Sequence, residues 1–296
     1  MNCIQKKELA IVFGSTGNMS FALANVLIAI KKHSPYLKAD YIVFEQGVTE
    51  KDKILLKQLS NCNFIEYVFP EKYKVNFNID LIKKFSFLTF SRFECFNLLN
   101  KYKKVIWLDI DILIQKDITS LLEECSTGIS LLGGLKAGDD FTIKVKGLEK
   151  DKENFNAGIM YLQDNLICYQ EYTDWCYNKT VELAKILVSA DQGIINLLIK
   201  EKQLEVHRLD WKYNYNPAFE GDTSSAIILH TYCPEKFWNY WNFKEWNDNY
   251  KLWLNMGGSK FLGKKFGWWE RKFKQVPHPL KRTRSFVKYV FSKVYK

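Results

Sequence analysis

Apolar residues follow one another along this chain in two alternating rhythms. Residues 9–13 (LAIVF) form a short unbroken apolar run, GSTGN after it is a turn cluster, and SFALANVLIAIKK carries helical spacing that closes on two lysines. Short apolar runs bounded by turn residues predict buried strands, and runs with a period near 3.6 predict helices. The alternation continues. Residues 41–44 (YIVF) predict a second strand, Thr49 with Asp52 three positions later predicts a capped helix start reaching Ser60, and residues 63–69 (NFIEYVF) predict a third strand.

In the middle of the chain, residues 90–102 (FSRFECFNLLNKY) read as a helix, 105–111 (VIWLDID) as a strand running into polar residues, and 118–125 as a short helix. Strands at 129–134 and 158–162, helices at 173–187 and 191–200, and a late strand at 226–230 (AIILH) complete the pattern. Strands alternating with helices predict an α/β fold with a mainly parallel central sheet covered on both faces. Residues 136–154 are polar and irregular, and read either as a loop facing an active site or as a surface excursion.

Composition narrows the class. An apolar content of 47% over 296 residues supports a sizeable core. No stretch of about 18 apolar residues occurs, which argues against a membrane-spanning helix. The N-terminal residues MNCIQKKELAIVFGSTG lack the apolar centre of a secretory signal, so a cytoplasmic location is expected. Seven cysteines without a C-x-x-C pair fit reduced thiols, and Cys168 and Cys176 are expected to share burial rather than a metal.

The net charge of +10 matters by its placement. From Lys260 to Lys296 there are 12 Lys or Arg, nine aromatic residues and the single acid Glu270, so the tail carries the whole excess and the body is close to neutral. Cations mixed with aromatics suit an anionic membrane surface, where each basic residue is worth about 1 kcal/mol and tryptophan seats at the interface. Single-stranded nucleic acid is the competing partner for such a mixture. The membrane is the preferred reading and no specific nucleic acid is expected. The chain thus divides into a body, residues 1–255, and a basic aromatic tail, residues 256–296.

The chemistry concentrates at KKVIWLDIDILIQKDI, residues 103–118. Burying an unpaired carboxylate costs several kcal/mol, so Asp109 and Asp111 inside an apolar run call for a cationic partner or a water-filled edge. At the carboxyl end of a central strand, the period of two predicts both side chains on one side of the sheet, where ligands of open α/β sheets bind. Two such acids can hold a divalent ion that also bridges a diphosphate. A bare Asp-x-Asp also arises by chance in surface loops.

The late strand adds His230 and, six residues on, Lys236. An imidazole completes a carboxylate-rich site and tilts it from Mg²⁺ toward Mn²⁺, while the lysine can reach a phosphate as a point charge. Asn156 precedes a small-residue strand start, and Asp191 and Gln192 open a helix, where an acid is ordinary capping chemistry.

In this order LTFSRF, KVIWLDIDILIQKDI, FNAGIMYL, DQGIIN and HTYCPEKFW resemble glycosyltransferase family 8, the retaining sugar-nucleotide transferases that include bacterial lipopolysaccharide galactosyl- and glucosyltransferases and glycogenin. The resemblance covers residues 11–238. It implies a single Rossmann-like domain of the GT-A type, with Asp109, Asp111 and His230 as Mn²⁺ ligands and Lys236 gripping the diphosphate of a UDP-sugar. It further implies Arg92 beside the donor sugar, with Asn156, Asp191 and Gln192 around the donor sugar and acceptor.

Ile110, between the two acids, and Thr16, Asn18, Met19 and Cys233 fall at the remaining donor-contact positions. Thr16 and Met19 stand where the family has an Asp and an aromatic residue against uracil, and only Asn18 is kept. Cys233 and Phe237 replace a glycine and a proline. What the resemblance implies as a whole is a hexosyltransferase that moves galactose or glucose from a UDP-hexose to an oligosaccharide or lipid-linked glycan; the tail adds the expectation of a peripheral position at the cytoplasmic face of the inner membrane. A nucleic-acid-binding protein and a sugar-nucleotide-binding protein without turnover are the rival readings.

Overall fold

The architecture is that of a computed structural model, which describes residues 5–267 apart from 74–76, 78, 137–139, 147, 149–152, 219–221 and 233. The chain opens as β1 (Lys7–Thr16), α1 (Ser20–His33), β2 (Asp40–Gln46), α2 (Glu50–Leu59) and β3 (Cys62–Glu66). The start of α2 is capped as its sequence suggests, with Thr49 Oγ1 accepting from the Asp52 amide at 3.2 Å. Next come α3 (Ile79–Phe85), α4 (Glu94–Leu98), β4 (Tyr102–Leu108) and the short β5 (Ile112–Ile114). Then follow β6 (Ile129–Lys136), β7 (Glu153–Gln163), α5 (Tyr172–Leu183), α6 (Ala190–Glu201), β8 (His207–Arg208), β9 (Ile228–His230) and α7 (Lys244–Asn255).

Seven strands make the central sheet in the order β3-β2-β1-β4-β7-β6-β8. The four from β3 to β4 run parallel, β7 is antiparallel to both its neighbours, and β8 is parallel to β6. Successive residues feed opposite faces. Ala10, Val12, Val105 and Trp107 enter a core with Phe90, Phe93, Phe96 and Tyr177, while Leu9, Ile11, Phe13, Ile106 and Leu108 enter another beneath α1, Trp246 and Trp253. Burial on both faces is why these strands read as continuous apolar runs rather than alternating ones. The mainly parallel α/β architecture expected from the sequence is the one observed.

Some local expectations change. Residues 90–102 do not form one helix: a tight 3-10 turn, Phe87–Phe93, precedes the five-residue α4. Over seven residues a period of 3.0 and one of 3.6 give nearly the same apolar pattern, so spacing alone does not separate them. Cys176 is buried in α5, but Cys168 lies before that helix, exposed, with φ at +53°. β5 and β9 pair antiparallel in a small second sheet, with Ile112 opposite His230.

Of residues 136–154, the described part is anchored beside α6. Phe141 bridges Leu187, the Asp140 carbonyl accepts from the Val188 amide at 2.8 Å, and Asn154 Nδ2 donates to the Asp140 carboxylate at 2.5 Å. Among the described residues no helix is long and apolar enough to cross a membrane. Residues 268–296, most of the basic tail, lie outside the described residues.

Candidate active site

β1 and β4 are parallel neighbours, with Val12 opposite Trp107, so the loops that follow both strands emerge on one edge of the sheet. This is the edge where α/β sheets bind ligands. β4 ends at Leu108, and Asp109, Ile110 and Asp111 form the turn into β5. Their convergence therefore does not come from the period of two along a strand. It comes from pairing: β5 lies against β9, the Thr231 amide donates to the Asp111 carbonyl at 3.0 Å, and His230 is carried to the acids.

The resulting cluster is compact. His230 Nε2 lies 3.0 Å from Asp111 Oδ1 and 3.7 Å from Asp109 Oδ2. One ligand atom from each of the three residues falls within 4.8 Å of the others. The His230 side chain is only 1% exposed, and its Nε2 is a buried polar atom without a hydrogen-bond partner. Such an atom costs stability unless something accepts its lone pair. Two carboxylate oxygens and an imidazole nitrogen form a donor set that could hold a divalent cation of the Mn²⁺ or Mg²⁺ class.

Each acid is held by further groups. Asp109 Oδ1 accepts from Trp107 Nε1 at 2.8 Å and from Arg92 at 2.5 Å, and the Arg92 guanidinium lies 4.9 Å over the Trp107 ring. Lys236 Nζ donates to Asp111 Oδ2 and to the Thr231 carbonyl, each at 2.5 Å. Burial acts to raise the Asp111 pKa, and the adjoining His230 and Lys236 outweigh it and hold this carboxyl well below the usual carboxylate range.

Arg92 also reaches Asp191, as does the Thr89 hydroxyl. Asp191 sits in the first turn of α6, but its carboxylate makes no cap and is turned to Arg92. Gln192, one residue on, accepts at Oε1 from Asn156 Nδ2 at 3.3 Å and from the Ala157 amide at 3.4 Å. Asn156 lies inside β7 rather than before it.

The other donor-side positions are looser. Thr16 closes β1 and Asn18 is exposed in the 3-10 turn behind it, with the Thr16 hydroxyl donating to Asn18 Oδ1 at 2.7 Å. Met19 and Ile110 are half-buried against the core beneath α1. Cys233 lies outside the described residues.

Three residues of the site were not singled out from sequence: Trp107, Gly158 and Asn214. Trp107 orients Asp109, as above. At Gly158 an added Cβ would fall 2.1 Å from His230 Cε1 and 2.9 Å from Asp109 Oδ2, so only a hydrogen fits between β7 and the cluster. A glycine inside a strand pattern is the available signal for such a close approach. Asn214 Oδ1 lies 2.8 Å from His230 Nδ1, and nothing in its local sequence marks it.

A mainly parallel α/β sheet with an acid pair and a histidine gathered at its carboxyl edge defines a protein of the nucleotide-sugar transferase type. The chain matches the model of glycosyl transferase family 8 over residues 10–242, and it belongs to that family and is a glycosyltransferase. A Haemophilus influenzae protein whose name assigns it provisionally to the glycosyltransferases is 23% identical over 256 residues, covering 79% of this chain and 74% of its own.

Solved structures share the fold. The galactosyltransferase LgtC, crystallised with donor and acceptor sugar analogues, superposes with a TM-score of 0.65 at 18% identity over 83% of this chain and 99% of its own. The bifunctional WbbM gives a TM-score of 0.61 at 15% identity, over 87% of this chain and 52% of its own. Streptococcus pneumoniae GlyE gives 0.55 at 16% identity, over 86% of this chain and 64% of its own.

Proposed function

We propose that this family 8 enzyme is a retaining, Mn²⁺-dependent hexosyltransferase that moves galactose or glucose from a UDP-hexose to a saccharide acceptor of lipopolysaccharide, lipooligosaccharide or another surface glycan. The observation that carries the proposal is the convergence of Asp109, Asp111 and His230, whose ligand atoms fall within 4.8 Å of one another. Asp109, Asp111 and His230 would hold a Mn²⁺ ion, with Mg²⁺ as a substitute, and the ion would neutralise charge on the donor diphosphate. Lys236, on the Asp111 side of the cluster, supplies a further positive charge to the departing nucleotide. Arg92 fixes Asp109 and Asp191 in one arrangement.

Two neighbours of the acceptor side, Asp191 and Gln192, already spend their oxygens on protein donors: Arg92 and Thr89 for the first, Asn156 and Ala157 for the second. An amide is in any case a poor nucleophile. This favours same-face attack by the acceptor hydroxyl, with Asp191, Gln192 and Asn156 orienting sugar and acceptor. The base side is built from Thr16, Asn18 and Met19, with Ile110 and Cys233 completing the donor site.

The same reading places the enzyme in the cytoplasm at the inner membrane, with residues 1–255 as the catalytic domain and the basic aromatic residues 256–296 drawing it to anionic lipid and a lipid-linked acceptor. Release of UDP from a panel of sugar nucleotides, with Mn²⁺, with Mg²⁺ and with chelator, tests the catalytic proposal. Metal-dependent release from UDP-galactose or UDP-glucose is the expected result; none from any UDP-hexose refutes it. Flotation of the full chain and of a chain ending at residue 255 with anionic liposomes tests the tail, and equal binding by both refutes its role.

A further inference from the structure

Behind the acid cluster a chain of buried amides runs from two backbone N–H groups of β7 to the far side of His230. The Gly158 amide donates to Asn156 Oδ1 at 3.0 Å. A backbone N–H can only donate, so the Asn156 atom facing it is the oxygen. A second fixed donor agrees: the Ala157 amide donates to Gln192 Oε1, which leaves the Asn156 NH₂ to donate to that same oxygen.

Asn214 faces the Asn156 oxygen at 2.9 Å and must present its own NH₂ there. Its Oδ1 is thereby turned to His230 Nδ1, 2.8 Å away. An amide oxygen can only accept, so Nδ1 carries the hydrogen. In the neutral ring the lone pair then sits on Nε2, the atom nearest to Asp109 and Asp111. Nε2 lies 3.0 Å from Asp111 Oδ1 and 3.7 Å from Asp109 Oδ2, and these two carboxylates are what it faces. Asn156, Asn214 and His230 are exposed by 5%, 1% and 1%, so the relay is shielded from bulk solvent.

We propose that Asn214 is a positioning residue that locks His230 in the Nδ1–H tautomer, so that Nε2 presents its lone pair to a divalent cation shared with Asp109 and Asp111. The inference rests on the metal reading given above, and adds to it an outer partner outside the acid pair. Outer partners of this kind change metal affinity by about 10- to 100-fold when removed.

The test uses the full chain labelled with ¹⁵N-histidine, whose four histidines include His230. Long-range ¹H–¹⁵N spectra of the full chain, with the His230 signals assigned from a His230→Gln variant, are expected to show a proton on Nδ1, where Asn214 accepts it. Asn214→Leu should weaken Mn²⁺ binding by about 10- to 100-fold, measured by the EPR signal of free Mn²⁺, and release the tautomer.

A bare Nδ1 in wild type, or unchanged Mn²⁺ affinity in folded Asn214→Leu, overturns the inference and leaves the metal site standing. Wild type that binds neither Mn²⁺ nor Mg²⁺ overturns the metal reading itself, and the role of Asn214 with it. Should Asn214→Leu not fold, the wild-type spectrum decides.

Discussion

Two loops meet at the carboxyl edge of the sheet, and they are built very differently. The turn after β4 is gripped from every direction: Asp109 by Arg92 and Trp107, Asp111 by Lys236 and Thr231, and both approached by His230 through the gap left at Gly158. The turn after β1 has little of this. Thr16 and Asn18 bond to one another, and Asn18 faces solvent. Preorganised charge is worth most where water is excluded, which suits the diphosphate and cation end of a donor. Under the proposed function, this contrast fixes the charged end of the donor in advance and leaves the base to groups that can adapt.

Substitutions in the two loops should break or sharpen that contrast. The largest effect is expected from Asp111→Asn. It removes a proposed ligand and leaves the Lys236 ammonium facing a neutral amide, so metal-dependent release of UDP should fall by at least about a thousandfold, the scale of losing a key charge-stabilising group. A rate within tenfold of wild type would show that the acid pair does not serve the reaction.

Gly158→Ala comes next. The methyl overlaps His230, and overpacking of this kind costs about 1–3 kcal/mol. Thermal unfolding should record that loss, and titration with Mn²⁺ should show weakened binding; an unchanged midpoint with unchanged affinity would mean that β7 yields easily.

Trp107→Phe keeps a ring beneath Arg92 and deletes the hydrogen bond to Asp109. A bond to a charged group is worth about 1.5–3 kcal/mol, so kcat/KM should drop roughly tenfold or more. Circular dichroism should show the fold retained.

The pH dependence of stability offers a subtler comparison. A carboxyl whose folded pKa is depressed contributes stability above its unfolded value, about 3.9, and that contribution is lost as the pH falls through the folded pKa. The difference in unfolding free energy between wild type and Asp111→Asn should therefore shift against wild type as the pH falls below about 4. A constant difference down to pH 3 would contradict the depressed pKa. Thr16→Ala should do least, leaving Mn²⁺ affinity within about twofold, as surface substitutions do, and altering only the KM for nucleotide. A large loss of Mn²⁺ affinity would erase the distinction between the loops.

Legibility in the sequence follows the same division. Apolar runs such as 9–13 and 105–108 revealed the sheet because both of its faces are buried, and the Thr49 cap at α2 carries a local hydrogen-bonding signature. His230 was readable through its motif, yet the reason it meets the acids was not: β5 is three residues long, and its pairing with β9 joins segments more than a hundred positions apart. Asn214 was invisible because its task is defined by partners at 156 and 230. The helix expected over 90–102 became a 3-10 turn and a short helix for want of a long enough period to distinguish them.

The single hydrogen that serves as a side chain at position 158 has a bearing on how this enzyme can change. No residue is smaller, so no mutational neighbour of that glycine offers a gradual path, and a deep mutational scan should find the site almost blank. New donor preferences would have to be sought at the rim, at Thr16 and Asn18, while Gly17 between them is closed to change because an added Cβ would fall 2.0 Å from the Gly47 carbonyl oxygen.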